Sequence, residues 1–265
     1  MKMIEIRDDE FATLQKLIFQ EVGISLAESK KTMVQSRLHK RLLHYQLDSF
    51  AHYLRIVQLT QTEKMEMINL ITTNETYFFR ESAHFDFIRE LLHITRSSLR
   101  VWSAASSVGA EAYSLGMMIN QFLPKDKWEI LGSDINSEVV KKARMGLYPI
   151  SWIDKIPVEY KSRYCLRGKG TYQGQFLIDR SLCENISFCE NNLLEENKSF
   201  GKFDIIFLRN VLLYFNHDTK EQVVKNVISN LKVGGFLIIS LTENLNTLNL
   251  KNLEQVQTSI FKKTM

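Results

Sequence analysis

Apolar side chains recur at helical spacing through the first part of the chain. Residues 9–70 contain no proline and one glycine, so little in this stretch interrupts a helix. Two apolar stripes follow one helix face each, the first formed by Phe11, Leu14, Ile18 and Val22 and the second by Val34, Leu38 and Leu42. This pattern predicts an all-helical N-terminal domain over residues 1–76.

From Leu99 onward the apolar period changes, and short β-prone runs alternate with amphipathic stretches. The predicted strands are Leu99–Ala104, Trp128–Ser133, Ile186–Cys189, Phe203–Leu208 and Gly235–Ser240, and the predicted helices are Glu111–Phe122, Ser137–Met145 and Asp218–Leu231. Strands that alternate with helices of about ten residues indicate a parallel, doubly wound sheet. Residues 77–265 are therefore predicted to form an α/β domain, with Gln255–Lys262 as one last edge strand.

One stretch interrupts this alternation. Residues 164–180 carry Gly168, Gly170 and Gly174 between short β-prone segments, a composition typical of tight turns between antiparallel strands. The sequence therefore predicts a small antiparallel β-subdomain, at about residues 160–184, inserted into the α/β domain.

Composition and charge limit the class of protein. The apolar fraction of 45% and the charged fraction of 24% are ordinary for a soluble globular protein, and no apolar run is long enough to cross a membrane. Three cysteines, an odd number, indicate reduced thiols in a cytoplasmic protein. The three cysteines show no CxxC spacing, so neither a metal site nor a disulfide framework is expected. A net charge of +4 is too small to indicate a nucleic-acid partner, but residues 29–47 hold five Lys and Arg and no acid.

Two positions in the predicted sheet suggest a ligand site. The small residues from Ala104 to Gly109 follow a strand and precede a helix, which lets the backbone approach a ligand, although a tight βα connection explains them equally well. Asp134 ends the next strand, where an acid commonly binds ribose hydroxyls; the alternative is that it caps the following helix. The turn is not a GxGxxG motif, so a dinucleotide is poorly supported.

Two further strings are unusual. Asn74–Arg80 (NETYFFR) crowds three aromatic residues ahead of an Arg–Glu pair, and the alternative to a site is an interdomain segment in which Arg80 pairs with Glu81 at the surface. Arg209–Phe215 (RNVLLYF) follows the strand FDIIFL at its carboxyl end, where ligands bind in open α/β sheets. Tyr214 in this string is either a site residue or a core aromatic.

Together, NETYFFRE, VWSAASSVGAEAYSLGMMI, LGSDIN, NNLLE and FDIIFLRNVLLYF resemble the CheR family of chemoreceptor glutamate methyltransferases, in the family's order and over nearly the whole chain. The resemblance implies a Rossmann-like methyltransferase domain with a small antiparallel β-subdomain, preceded by an all-helical domain. It also implies S-adenosylmethionine as cofactor, S-adenosylhomocysteine as product, and methyl ester formation on receptor glutamates.

The resemblance carries site residues over by motif. The implied cofactor contacts are Asn74, Thr76, Arg80, Glu111, Asp134, Asn192, Leu193, Arg209 and Asn210, and Arg80 and Tyr214 are implied to line the methyl-transfer site. The insert LRGKGTYQG is similar to the family form that binds an aromatic peptide at the receptor C-terminus, which points to Gly168, Gly170 and Gly174.

The basic segment suits an acidic receptor helix. Arg37, Lys40 and His44 share one helix face, and with Arg41 they are candidates for binding the cytoplasmic domain of the receptor. The alternative is a solvated helix face with no partner.

Departures from the family leave one alternative open. Ala110 and Ala112 replace the family's Glu and Pro, and Leu241 replaces a His, so a non-catalytic module that binds cofactor or receptor is the rival. Nucleic-acid methyltransferases are argued against, because none of Pro124, Pro149 and Pro157 is followed by the Pro or Cys that their motifs need.

Overall fold

The computed structural model describes residues 4–72, 74–94 and 97–264 and divides into two compact units. The first comprises Met1–Thr73 and Tyr214–Lys220, and the second comprises Asn74–Leu213 and Glu221–Met265. This boundary differs from the predicted division at residues 76 and 77. Tyr214, placed in the α/β domain by the sequence, lies with the helical unit.

The first unit is built from four helices, α1 (Asp8–Val22), α2 (Lys31–His44), α3 (Phe50–Leu59) and α4 (Gln61–Ile71). Both predicted apolar stripes are buried, with every member at most 5% exposed. Gly23 ends α1 in the left-handed region at φ 73°, and the following Ile24 bridges to Phe215. Ser25 N also donates to Tyr214 O at 2.8 Å, which fastens the 214–220 segment to this unit.

The second unit contains a seven-stranded sheet in the order β6-β2-β1-β7-β8-β10-β9. Its strands are β1 (Leu99–Ala104), β2 (Trp128–Asp134), β6 (Ile186–Glu190), β7 (Phe203–Leu208), β8 (Leu231–Ile239), β9 (Leu253–Gln257) and β10 (Ile260–Lys263). The first five run parallel to one another, and β10 is antiparallel to both β8 and β9. The doubly wound sheet is thus confirmed, with an antiparallel pair at one end.

Helices and a second, smaller sheet complete this unit. The helices are α5 (Ser82–Ile94), α6 (Ala110–Ile119), α7 (Ser137–Met145), α8 (Val158–Tyr164), α9 (Arg180–Cys183) and α10 (His217–Ser229), whose first turn belongs to the 214–220 segment. The small sheet has the order β3-β5-β4, formed by β3 (Leu147–Pro149), β4 (Cys165–Arg167) and β5 (Gln175–Ile178), all antiparallel. The predicted antiparallel β-subdomain is therefore confirmed.

Two details of the sequence prediction are wrong. Gln255–Lys262 is not one edge strand but parts of two, because Ser259 turns the chain at φ 60° between β9 and β10. The small sheet also recruits β3, which lies before the predicted 160–184 range. Three residues ending in a proline are too short a pattern to be read as a strand.

Within the described residues, no helix has the length and apolar character needed to span a bilayer. The same residues hold no group of three or more His, Cys, Asp and Glu side chains arranged to bind a metal ion.

Candidate active site

The turn after β1 has an unusual backbone. Ala105, Ser107 and Gly109 all lie in the left-handed region, at φ 61°, 51° and 86°, and two of them carry side chains that rarely adopt it. Ser106 N donates to Ser133 O at 2.8 Å, and Ser107 N donates to Asp134 Oδ2 at 2.8 Å. The end of β2 therefore holds this turn in a strained shape.

Asp134 is the anchor of that arrangement. Its Oδ1 accepts a hydrogen bond from Asn136 N at 2.9 Å, and its side chain is buried. Burial raises the pKa of Asp134, while the N–H groups of Asn136 and Ser107 oppose the rise. The alternative that Asp134 caps the next helix is wrong, because Asn136 accepts from Glu138 N and Val139 N and caps α7 instead.

Arg209, which follows β7, joins several predicted site residues. Its buried guanidinium donates from Nη1 to Glu111 Oε2 at 2.8 Å and from Nη2 to the carbonyl oxygen of Arg80. The other carboxylate oxygen of Glu111 accepts from Ser103 Oγ at 2.7 Å. Arg209, Glu111 and the main chain of Arg80 thus form one network at the carboxyl ends of β1 and β7.

Glu81 is a member of this network that sequence reasoning placed elsewhere. It lies 3.3 Å from Arg209 Nη2 and also accepts from Leu241 N at 3.0 Å and Asn210 Nδ2 at 3.2 Å. The alternative in which Arg80 pairs with Glu81 at the surface is therefore wrong. Burial raises the pKa of Glu81, but the charge of Arg209 and the donors from Leu241, Ser240 and Asn210 outweigh it and lower the pKa to about 2.

Glu243 is a second acid that the sequence did not single out. Its carboxylate accepts from the backbone N–H groups of Ser240 (2.9 Å), Leu212 (2.9 Å) and Asn210 (3.2 Å), so it ties the ends of β7 and β8 together. Burial raises the pKa of Glu243, and these donors oppose the rise. Leu241 contributes its main-chain N–H to Glu81, so replacement of the family's His side chain does not remove that contact.

The segment Asn74–Arg80 is fixed to the same region through its backbone. Ser107 Oγ donates to Asn74 O at 3.2 Å, and Phe79 N donates to Ser114 Oγ at 3.0 Å. Phe78 is 1% exposed and packs edge-on against Tyr148, so one aromatic of the segment belongs to the core, while Tyr77 is 41% exposed. Thr76 of the same segment is half-buried.

Asn192 and Leu193 lie in the turn that follows β6. Asn192 Oδ1 accepts from Leu194 N at 3.1 Å, and Leu193 is 8% exposed. The preceding Asn191 N donates to Asp134 O at 2.9 Å, which places this turn at the same sheet edge as Asp134.

Ala110 and Ala112, the two departures in α6, are both fully buried in the hydrophobic core of this unit. Neither position contributes a polar side chain to the network around Arg209.

Three buried polar atoms at this edge have no hydrogen-bond partner among the described residues: Ser106 Oγ, Asn191 Nδ2 and Arg209 Nε. Buried polar groups in folded proteins are almost always paired, so such atoms point to a ligand. Amide and guanidinium donors beside the carboxylates of Glu111 and Asp134 suit a molecule with hydroxyl, amino and carboxylate groups. The residues therefore fit a nucleoside cofactor that carries an amino acid.

The basic candidates of the first unit differ in what they contact. Arg37 Nη1 donates to the carbonyls of Ile71 (2.8 Å) and Thr72 (3.1 Å) at the end of α4. Arg41 Nε donates to the buried Glu63 at 2.8 Å, whereas Lys40 is exposed. Arg37 and Arg41 thus hold helices of the unit together.

The glycines of the insert shape its turn. A Cβ on Gly168 would lie 2.1 Å from Tyr172 O, so the turn between β4 and β5 closes only with glycine at this position. Gly170 and Gly174 take left-handed backbone, at φ 59° and 83°. All three serve the fold of the insert directly.

Comparison with known proteins matches both units. A family model described as "CheR methyltransferase, SAM binding domain" matches residues 74–261, and one described as "CheR methyltransferase, all-alpha domain" matches residues 9–72. The chemotaxis protein methyltransferase of Salmonella typhimurium is 36% identical, over 92% of this chain and 87% of that protein. The protein of the same name from Borreliella burgdorferi is 33% identical, over 98% of this chain and 96% of that protein.

Proposed function

Because this chain belongs to the CheR methyltransferase family and is an S-adenosylmethionine-dependent methyltransferase of chemotaxis, we propose that its methyl acceptors are glutamate side chains of chemoreceptors. The products are a glutamate methyl ester and S-adenosylhomocysteine. The cytoplasmic domain of the receptor is the proposed substrate, which places the enzyme in the cytoplasm.

The observation that carries this proposal is the environment of Arg80. Its Nη1 donates to the carbonyl of Glu75 at 2.9 Å, and its Cζ lies 5.7 Å from the centroid of the Tyr77 ring. Both are neutral groups, and within the described part of the chain no carboxylate side chain pairs with this guanidinium. A fork of N–H donors that lacks an acid of its own suits an incoming carboxylate.

Cofactor binding is proposed for the residues gathered at the sheet edge. Asp134 offers carboxylate lone pairs for hydroxyl groups, and Asn191 and Arg209 offer the buried donors described above. Asn74, Thr76, Arg80, Glu111, Asn192, Leu193 and Asn210 complete the proposed cofactor set. When bound, the cofactor supplies an electrophilic methyl group on a positively charged sulfur.

Methyl transfer to a carboxylate requires mainly that the protein position the carboxylate against the cofactor. A glutamate with a pKa near 4.3 is ionised by roughly 500 to 1 at pH 7, so no general base is needed. The acceptor carboxylate would take the methyl group that the bound cofactor supplies, and S-adenosylhomocysteine would leave as the second product. Arg80 aligns the carboxylate, and alignment alone can supply about 7–11 kcal/mol.

Receptor binding is proposed for two surfaces. In the first unit, the exposed Lys40 is the proposed contact for an acidic receptor helix, with Arg37 and Arg41 adding charge from their structural positions. In the insert, β4 is an edge strand; its residue Leu166 and Tyr172 in the turn that follows are 49% and 57% exposed. An extended aromatic peptide from the receptor C-terminus can pair with this edge, next to Gly168, Gly170 and Gly174.

Incubation with tritium-labelled cofactor and receptor cytoplasmic fragments, followed by alkaline treatment, tests the proposal. Radioactive methanol released by base identifies a carboxyl ester. Base-stable label means a different acceptor, and cofactor binding without any transfer means a non-catalytic module; either result overturns the proposal.

A further inference from the structure

An exposed aromatic side chain beside Arg80 is approached by a second cation. Lys155 Nζ lies 5.5 Å from the centroid of the Tyr77 ring, and Arg80 Cζ lies 5.7 Å from the same centroid. Both distances fall within the range of cation–π attraction. We call Tyr77, Arg80 and Lys155 the Tyr77 clamp.

The backbone that carries the clamp is well anchored. Lys155 is the last residue of a 3₁₀ helix formed by Ile150–Lys155. Trp152 of this helix stacks on Tyr148, with ring centroids 5.9 Å apart, and Tyr148 packs against Phe78, the neighbour of Tyr77. The two cations are therefore presented by segments that share one aromatic cluster.

The clamp carries positive charge that the protein does not neutralise. In residues 4–72, 74–94 and 97–264, neither Arg80 nor Lys155 forms an ion pair with an acid. The acid next to Lys155 in the chain, Asp154, lies 3.7 Å from Lys161 instead. Tyr77 itself is 41% exposed, so the surface that holds the two cations is open to a ligand.

Binding of the acceptor carboxylate by both Arg80 and Lys155 would hinder methyl transfer. The acceptor carboxylate needs a free lone pair for the methyl group, and neutralising it with two cations weakens it as a nucleophile. We infer that Lys155 binds a second carboxylate of the substrate, an acidic side chain close to the acceptor glutamate, while Arg80 holds the acceptor. This inference rests on the proposed function and adds a preference for acceptors with an acidic neighbour.

Paired substrates test it. Two receptor cytoplasmic fragments each carry a single acceptor glutamate, and four positions away along the helix one has Asp and the other Asn. The rate of ester formation at limiting substrate is measured for both, with the ester located by mass spectrometry. Exposed ion pairs of this kind predict that the wild-type enzyme prefers the Asp fragment about 2- to 5-fold.

Substitutions identify the residue responsible. Lys155→Met is expected to bring the preference to about 1, and Lys155→Glu to reverse it, with cofactor affinity unchanged. Lys127→Met is the matched control, because Lys127 is exposed and directly precedes the amino end of β2, whereas Asp134 lies at the carboxyl end of the same strand. That variant should keep the wild-type preference, and the preference should weaken at about 0.5 M salt.

The outcomes distinguish failure of the Lys155 inference from failure of the proposed function. Equal rates on both fragments with the wild-type enzyme, or an unchanged preference in Lys155→Met, overturn the inference and leave the methyl-transfer proposal standing. If the wild-type enzyme forms no ester on either fragment, the proposed function fails, and the inference fails with it.

Discussion

The carboxylate of Glu81 lies 3.3 Å from the guanidinium of Arg209. Through Arg209, Glu81 is linked to Glu111 and to the carbonyl of Arg80. Through its own oxygens it is linked to Asn210 and Leu241. The residue that follows Arg80 therefore organises the backbone from which Arg80 projects.

Replacing Glu81 with Gln should destabilise the protein by about 2–3 kcal/mol. Donors approach both carboxylate oxygens, so the amide NH₂ of a glutamine must face one of them in either orientation. Urea unfolding measures the change. Glu195→Gln, at an exposed position, is the control and should lie within about 0.5 kcal/mol of wild type. Equal stability of the Glu81→Gln variant would show that the network is not stabilising.

His84 should make stability depend on pH between about 6.5 and 4. Burial, with the nearby charge of Arg209, lowers the pKa of this 1% exposed side chain to about 4, although Glu81 opposes the shift. Between pH 6.5 and pH 4, His84 is protonated in the unfolded chain but neutral in the folded protein. The free energy of unfolding therefore falls as pH falls, by at most roughly 3 kcal/mol. Below pH 4 both states are protonated, and the contribution of His84 stays constant.

The comparison with His84→Gln isolates this effect. Glutamine can keep a hydrogen bond to Ser259 Oγ, which His84 Nε2 approaches at 2.7 Å, but it does not titrate. Unfolding free energies at pH 7 and pH 4.5 should therefore differ less in the variant than in wild type. Parallel pH profiles for the two proteins would contradict the assignment.

Charge-reversal variants should show that Lys40 acts in receptor binding and Arg37 in stability. Lys40→Glu is expected to raise the apparent KM for receptor about 3-fold or more with little change in stability, because Lys40 is exposed. Arg37→Glu should lower the free energy of unfolding by about 1–3 kcal/mol, because Arg37 caps the carbonyls at the end of α4. Receptor kinetics and urea unfolding of both variants test this. An unchanged KM in Lys40→Glu would remove this surface from receptor binding.

Local apolar patterns predicted the longer strands and helices well. The strands Leu99–Ala104 and Phe203–Leu208 and the helix Ser137–Met145 coincide with β1, β7 and α7, because the apolar period is encoded within each stretch and the helix is flanked by Asn136 and Gly146 as caps. The three-residue β3 and the turn at Ser259 offered no such pattern.

The network around Glu81 was beyond local patterns for a different reason. Its partners Asn210 and Leu241 lie 129 and 160 positions away, and they meet Glu81 only after the strands have taken their order in the sheet. Adjacent Arg80 and Glu81 invited the interpretation of a surface pair. The positive φ of Glu81, 58°, could not be predicted either, because glutamate rarely adopts left-handed backbone.

Methyl ester formation by the wild-type protein and by Arg80→Ala tests the central claim most directly. With tritium-labelled cofactor and a receptor cytoplasmic fragment, the wild-type protein should yield base-labile methyl groups on glutamate. Arg80→Ala should lose about 100-fold or more in kcat/KM, because it removes the guanidinium proposed to align the carboxylate. Arg55→Ala, at an exposed position of α3, should retain full activity. Base-stable label from the wild-type protein, or near-normal turnover by Arg80→Ala, would contradict the account.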